Sequence, residues 1–299
     1  MAFRNLMIEN PAHLSVRSHQ LVIRTDAERS VPIEDISAIL LENRQSTVTT
    51  AALSQLGQRG CAVYLCDEKH MPCAVLEPFQ QHSRMFSILQ SQLDASEPTK
   101  KRLWQSIVQA KIRNQAICLQ LSGMAEEAEK LSRMAERVRS GDPENIEATA
   151  AQAYFPALFG EGFTRAAENG YNAAVNYGYA ILRGSVARSL AVYGFLPAFG
   201  LHHRSSLNAF NLADDLMEPF RPVVDRLAVS LMEREELLTS AQKRLLFNCL
   251  NLDILSGEQH HSVAYAIERL VQSLGRALTQ KDSTLLLPTL LETEQHRYE

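Results

Sequence analysis

The chain of 299 residues is long enough for two domains or for one large domain. Hydrophobic residues make up 45% and charged residues 21%, the balance of a globular protein, and no apolar run approaches the roughly 18 residues of a membrane span. Its five cysteines, an odd number, do not make a disulfide framework, so we expect a reduced, cytoplasmic protein. The net charge of −4 argues against a nucleic-acid binder held by bulk electrostatics alone.

The sequence predicts an α+β protein in which a small β-rich N-terminal domain, 1–80, comes first. Residues 13–25 alternate between apolar and polar around a Ser-His-Gln turn, as in a β-hairpin. Four further short segments complete this domain: apolar strands at 31–43, 61–68 and 72–78, and a Thr-capped helix at 47–60. We expect exposed sheet edges here, which makes the domain a candidate for dimerisation.

A larger all-α domain is predicted at 96–299, after a linker at 81–95, because the apolar period changes from about 2 to about 3.6. Its helices are predicted at 96–121, 141–160, 171–194 and 211–222, and the chain is expected to stay helical to about residue 280. Asp142 and Pro143 are typical of an N-cap followed by the first helical residue. Pro219 and Pro222 are expected to stop or bend the last of these helices.

Three cysteines and a histidine in the first domain offer a zinc site at first sight. Cys61, Cys66, His70 and Cys73 have the spacing C-x4-C-x3-H-x2-C, which fits no compact zinc knuckle well. Cys61 and Cys66 belong to one apolar strand at an odd separation, so their side chains are expected on opposite faces. Free, buried cysteines are the favoured interpretation.

A basic stripe occupies residues 99–124, which contain no acid. Such a stripe can contact phosphates, or it can be a solvated helix face whose neighbours are neutral. The candidate DNA-binding residues in it are Lys100, Lys101, Arg102, Lys111 and Arg113.

Histidines and acids of the helical domain form the strongest candidate site. Asp215 and Glu218 are three residues apart and share a helix face, while His202 and His203 lie one loop upstream. A histidine with carboxylates suits Mn²⁺ or Mg²⁺, and Glu147, an isolated acid in an Ala-rich helix, is the candidate third ligand. The alternatives are a solvated Glu147, helix-capping acids and a surface histidine pair.

Two arginines flank these residues. Arg204 and Arg221 could hold a phosphate near a metal through bidentate contacts. Alternatively, Arg221 could pair with Asp225 one helical turn further on.

Five ordered segments resemble the CRISPR-associated adaptation endonuclease and integrase family known as "Cas one", in the form found beside type II systems. The segments are "CDEKHMP", "LWQSIVQAKIRNQAICL", "NIEATAAQAYFPALFG", "YNAAVNYGYAILRG" and "HHRSSLNAFNLADDLMEPFRPVVD", and the resemblance as a whole covers nearly the whole chain. The resemblance implies a β-rich domain joined to a helical catalytic domain. One departure is Asn169, where the family usually has Asp.

Carried over residue by residue, the resemblance implies a catalytic metal site made by Glu147, a histidine and Glu218. The histidine is His203 or His202; the family's spacing favours His203, with His202 alongside, and Asp215 would support the site. The implied cofactor is Mg²⁺ or Mn²⁺.

The implied reaction is the insertion of short foreign-DNA spacers into a CRISPR array, by attack of a 3′-hydroxyl on the phosphodiester at the leader–repeat boundary. The implied partners are double-stranded DNA, a second copy of the chain in a homodimer, the small ferredoxin-like "Cas two" protein and the type II effector nuclease, with no membrane. Two other functions compete with this one. A metal-dependent phosphohydrolase would need further clustered histidines, and a non-enzymatic helical DNA-binding or assembly subunit would not need the three ligands at all.

Overall fold

The computed structural model describes residues 4–76, 85–233, 237–280 and 284–296. The strands in these ranges are β1 (Arg4–Ile8), β2 (His13–Arg17), β3 (Gln20–Arg24), β4 (Glu28–Pro32), β5 (Ile36–Leu41), β6 (Thr47–Val48), β7 (Ala62–Cys66), β8 (Pro72–Leu76), β9 (Asp253–Ser256), β10 (Gln259–Ser262) and β11 (Pro288–Thr289). The α-helices are α1 (Thr50–Gln58), α2 (Met85–Leu93), α3 (Glu97–Leu121), α4 (Ala125–Arg137), α5 (Ile146–Phe159), α6 (Gly170–Val192), α7 (Asn211–Met217), α8 (Arg221–Leu231), α9 (Ser240–Phe247) and α10 (Val263–Thr279).

Two four-stranded sheets form the N-terminal region. In the sheet β1-β5-β7-β8, the first three strands are parallel and β8 runs antiparallel to β7. The sheet β4-β3-β2-β6 contains the predicted hairpin, in which Ser18 and His19 join β2 to β3. Both residues have positive φ, 50° and 61°, as the two-residue turn of a twisted hairpin requires. The hairpin prediction is confirmed.

Strands β5 and β7 separate two apolar cores. Ile39 and Val63 face a core shared with α1, whereas Leu40 and Tyr64 face the core of the helical region, because successive side chains of a strand point to opposite faces. The Tyr64 hydroxyl also donates a hydrogen bond of 3.0 Å to the carbonyl oxygen of Ile181 in α6. The sheet is therefore packed directly against helix α6.

The predicted start of helix α3 agrees with the structure, whereas the predicted start of helix α5 does not. Helix α3 begins after Ser96, whose side chain accepts the N–H of Thr99, as predicted. Helix α5 begins only at Ile146, so the prediction of Asp142 as its N-cap is wrong. Asp142 instead accepts the N–H groups of Ile146 and Glu147, both at 2.9 Å. Its carboxylate thus anchors the first turn of α5 from outside the helix.

The predicted helix over 211–222 is divided by a short 3₁₀ turn. Pro219 has no N–H with which to continue an α-helix, and Glu218–Phe220 forms the 3₁₀ turn between α7 and α8. The side-chain amide of Asn114 in α3 donates a hydrogen bond of 2.7 Å to the carbonyl oxygen of Pro219. Glu218 is consequently fixed against α3.

The predicted fold class is confirmed, with one correction in the helical region. Strands β9, β10 and β11 form a three-stranded antiparallel sheet there, so the region is not all-α. Residues 77–84 lie outside the described part of the chain, and residues 85–93 of the predicted linker form α2, which packs against α10. The boundaries at 80 and 95 stay a prediction. Among the described helices, none is long and apolar enough to cross a membrane.

Candidate active site

Two of the predicted ligands lie on either side of a buried lysine. Lys111 projects from α3, Glu147 from the first turn of α5 and Glu218 from the 3₁₀ turn. The Lys111 ammonium is 2.5 Å from Oε1 of Glu147 and 2.6 Å from Oε2 of Glu218. The side chain of Lys111 is only 10% exposed and that of Glu218 only 4%. One cation therefore joins two acids that are 71 residues apart in sequence.

The charges of this cluster control the ionisation of Glu218. Burial by itself raises the pKa of Glu218, but the positive charges of Arg221 and Lys111 outweigh burial and hold the pKa below its usual value. For Lys111 the effects are reversed: burial lowers the pKa, but the negative charges of Glu218 and Glu147 outweigh burial. The pKa of Lys111 is therefore raised above its usual value. Glu218 is therefore a carboxylate and Lys111 an ammonium at neutral pH.

His203 is oriented by Asp215. Nδ1 of the imidazole lies 2.6 Å from Oδ1 of Asp215, a carboxylate with 0% exposure. The hydrogen bond to Asp215 raises the pKa of His203, partly opposed by burial. Asp215 also accepts the backbone N–H groups of Leu201, His202 and His203 at 2.6, 3.0 and 3.2 Å. One buried carboxylate thus fixes both the loop and the ring, and leaves Nε2 of His203 available.

The two histidines have different surroundings. His202 is exposed and stacks on Trp104 with ring centroids 4.2 Å apart and an interplanar angle of 3°. His203 meets the same indole edge-on at 5.7 Å. The charge of Glu218 acts on His203 and contributes to its raised pKa. Of the two histidines, His203 is therefore the one that is paired with a buried carboxylate, Asp215.

Arg221 pairs with Glu218 and not with Asp225, so the predicted alternative of an Arg221–Asp225 pair is wrong. Its guanidinium is 2.9 Å from Oε1 of Glu218 and lies over the ring of Tyr179 at 4.5 Å. Asp225 instead accepts the hydroxyls of Tyr179 and Tyr154 at 2.6 and 3.0 Å. These contacts hold the arginine beside the acid cluster.

A model of the family described as "CRISPR associated protein Cas1" matches residues 6–249 of the chain, well over half of its length. The chain belongs to the Cas1 family. The family predicted from the ordered motifs is thereby confirmed.

Relatives and solved structures agree with this assignment. The chain is 45% identical over 304 residues to the "CRISPR-associated endonuclease Cas1" of Neisseria meningitidis serogroup C, and the alignment covers 100% of both chains. A structure entitled "Casposase bound to integration product" superposes with a TM-score of 0.76 at 19% identity and covers 100% of this chain and 96% of that one. A "Cas6-RT-Cas1--Cas2 complex" gives 0.71 at 18% identity, covering 95% of this chain and 36% of that chain. These two structures share the fold.

The metal-ligand arrangement predicted for this Cas1 protein is not complete in the structure. Within the described ranges, no three His, Cys, Asp or Glu side chains are grouped so as to hold a metal ion. Glu147 and Glu218 converge, but on Lys111. In the β-rich domain, Cys61 is buried, Cys73 is exposed and His70 pairs with Glu42 at 3.3 Å.

Three of the five predicted basic residues of α3 are exposed and two are not. Lys101, Arg102 and Arg113 are exposed, while Lys100 is half-buried and 3.8 Å from Glu97. The assignment of Lys111 to a DNA-contacting surface is wrong, because its ammonium is buried between two carboxylates. Arg204 is exposed and pairs with Glu97 at 2.6 Å, away from the acid cluster.

Several residues around the candidate site were not predicted from the sequence. They are Trp104, Tyr154 and Tyr179, together with Lys111 as partner of both acids and Asp225 as acceptor of two tyrosine hydroxyls. Lys111 did leave a signal, since it comes four residues after Ile107 and so lies on the buried face of α3. The Asp225 network left none, because its members come from three separate helices.

Proposed function

We propose that this Cas1 chain is a metal-dependent DNA endonuclease and integrase that inserts short spacer DNA into a CRISPR array. The observation that carries the proposal is the convergence of Glu147 and Glu218 on one cation, at 2.5 and 2.6 Å. A buried and a half-buried carboxylate that share a cation, with an oriented histidine nearby, are side chains suited to a phosphodiester-cleaving metal site. The relative named an endonuclease and the casposase fold add support.

The side chains supply the donor types that a divalent cation needs, although Lys111 now lies between the two acids. Oε2 of Glu218 is buried and has no hydrogen-bond partner, although the Lys111 ammonium is 2.6 Å away. The Nδ1 of His203 is bound to Asp215, an arrangement common for metal-binding histidines because it directs Nε2 at the metal. Mixed nitrogen and oxygen donors suit Mg²⁺ or Mn²⁺. Glu147, His203 and Glu218 would hold the ion.

The chemistry is a transesterification or a hydrolysis at phosphorus. The bound ion would supply Lewis acidity at the phosphodiester and lower the pKa of the attacking hydroxyl. A 3′-hydroxyl as nucleophile forms a new phosphodiester and releases the old 3′-oxygen as leaving group, which joins spacer to repeat; water as nucleophile cuts the strand instead. Asp215 keeps the His203 ring in position, and Arg221 beside Glu218 balances negative charge at the reacting phosphate.

DNA is proposed to approach along the exposed basic side of α3. Lys101, Arg102 and Arg113 are exposed on the helix whose buried face carries Lys111. A local basic surface of this kind binds phosphates even though the net charge of the chain is −4. The proposed partners are a second copy of the chain, a Cas2 protein, as in the complex whose fold is similar, and the type II effector nuclease, all in the cytoplasm.

One observation favours a second function, that of a non-enzymatic DNA-binding or assembly subunit. Lys111 already neutralises the two acids in the described structure, which a purely structural ion pair would also do. The two functions are distinguished by chelation. An assembly subunit binds DNA equally well with Mn²⁺ or with EDTA and never cuts it.

The test is cleavage of a labelled branched DNA in the presence of Mn²⁺ or EDTA, with binding measured in parallel by fluorescence anisotropy. We expect cleavage that depends on Mn²⁺ and disappears in Glu147→Gln and Glu218→Gln, while binding persists. DNA binding without cleavage at any Mn²⁺ concentration, by a folded protein, would favour the assembly subunit.

A further inference from the structure

Lys111 lies where a metal would have to lie in order to reach both acids. Its nitrogen is 2.5 Å from one carboxylate oxygen and 2.6 Å from the other. Mg²⁺ binds carboxylate oxygens at about 2.0–2.1 Å, so a metal needs only a contraction of about half an ångström around the same point. The ammonium and a metal ion cannot both occupy it.

The charge balance leads to the same conclusion. In the described structure, the negative charges of Glu147 and Glu218 are matched by the positive charges of Lys111 and Arg221. A divalent cation added without any movement would leave two uncompensated positive charges in a nearly buried site, which is strongly unfavourable. Of the two basic residues, Arg221 binds Oε1 of Glu218 and is also held over the ring of Tyr179, whereas the contacts of Lys111 are with the two carboxylates that a metal would take over. Lys111 is the group free to leave.

Resting on the proposed function, we infer that Lys111 is a resident counter-ion that holds Glu147 and Glu218 together in the metal-free protein and must withdraw when the metal binds. Its flexible four-carbon stem permits the withdrawal, which a rigid guanidinium would not. The lysine is a positioning residue in this account. It keeps two facing carboxylates from repelling each other and makes metal binding weaker than the bare acids would.

The test compares Lys111→Met with a matched control, Lys243→Met. Lys243 is also a buried lysine, 3.0 Å from Oε1 of the buried Glu42, but it lies outside the proposed site. Mn²⁺ binding is measured by titration calorimetry without DNA, and the melting temperature is measured with and without Mn²⁺.

We expect Lys111→Met to bind Mn²⁺ about tenfold or more tightly than wild type, equivalent to at least about 1.4 kcal/mol, and Lys243→Met to bind it like wild type. Without metal, Lys111→Met should melt below wild type, and Mn²⁺ should raise its melting temperature by more. Equal or weaker Mn²⁺ binding by folded Lys111→Met overturns the inference.

Glu218→Gln distinguishes failure of the proposed metal site from failure of the counter-ion role of Lys111. If wild type binds Mn²⁺ and Glu218→Gln does not, the metal site exists, and unchanged affinity in Lys111→Met refutes the role of the lysine alone. If no variant binds Mn²⁺, the proposed function fails and the inference fails with it.

A second measurement on wild type decides the matter if Lys111→Met does not fold. Amine acetylation, read by mass spectrometry, should increase at Lys111 when Mn²⁺ is added and stay constant at Lys243. Unchanged acetylation of Lys111 at saturating Mn²⁺ would overturn the inference.

Discussion

Nδ1 of His203 lies 2.6 Å from Oδ1 of Asp215, and the same buried carboxylate accepts three backbone N–H groups of the loop that carries the histidine. The loop also approaches Asp215 closely at Gly200, where a Cβ would lie 2.8 Å from Oδ2. The sequence shows the histidine and the acid, but only the fold shows that one orients the other.

Asp215→Asn tests this relationship. Asparagine has one acceptor oxygen where the carboxylate has two, so the loop loses hydrogen bonds and the imidazole loses its charged partner. We expect Mn²⁺ affinity to fall by about 10- to 100-fold, as for other residues that orient metal-binding histidines. Titration calorimetry measures it. Asp214→Asn is the control, since Asp214 is also buried but pairs with Arg183; equal losses in both variants would contradict the orienting role.

Asp225 is expected to make stability depend on pH. Burial raises its pKa from 3.8 to about 6, against the opposing effects of the Tyr179 and Tyr154 hydroxyls and the charges of Arg165 and Arg221. The folded state thus binds the proton more tightly than the unfolded state. Asp225 therefore stabilises the folded state by up to ~3 kcal/mol below about pH 4. This stabilisation is lost as the pH rises through about 6.

Asp225→Asn cannot titrate and should not show this loss. Urea unfolding of wild type and variant, at several pH values between about 4 and 7.5, gives the difference in their free energies of unfolding. We expect wild type to lose stability relative to the variant as the pH rises. Parallel pH profiles would show that Asp225 has an ordinary pKa.

Gly184 is expected to resist substitution. A Cβ there would lie 2.2 Å from Cε1 of Tyr64, the residue that connects the sheet to α6. Alanine favours a helix over glycine by about 1 kcal/mol, but overpacking costs about 1–3 kcal/mol and puts the Tyr64 hydrogen bond at risk. Thermal unfolding should show Gly184→Ala destabilised. Gly275→Ala in α10, with its nearest atoms at 3.8 Å, should be neutral or stabilised, and equal effects would contradict the argument.

The exposed basic residues of α3 are expected to bind DNA backbone. Each phosphate contact removed by alanine at Lys101, Arg102 or Arg113 should lower the slope of log affinity against log salt by about 0.9. Anisotropy titrations at several salt concentrations measure it. Arg24→Ala, on the N-terminal sheet and paired with Glu28, is the control. An unchanged slope in the triple variant would place the DNA elsewhere.

Local signals made much of the fold predictable. The hairpin at Ser18, the helix start at Ser96 and the buried face of α3 each depend on residues close in sequence. The hairpin of β9 and β10 was missed, because two strands of four residues are too short to interrupt a helical pattern convincingly.

The candidate site was only partly predictable for a different reason. The motifs name Glu147, His203 and Glu218, but Lys111 becomes their neighbour only when α3 packs beside the 3₁₀ turn. A lysine in a basic stripe is normally solvated, and burial in this case is stabilised by two carboxylates that are distant in sequence. Such compensation depends on tertiary structure alone.

The most direct test of the central claim is strand transfer of a labelled short duplex with 3′-hydroxyl ends into a supercoiled plasmid that carries a leader and repeat. Wild type, Glu218→Gln and the control Glu268→Gln, whose carboxylate pairs with Arg188 outside the site, are compared with a Cas2 partner and Mn²⁺. We expect joined product from wild type and Glu268→Gln and none from Glu218→Gln, with DNA binding intact in all three. Equal joining by Glu218→Gln, or binding by wild type without any joining, would contradict the account.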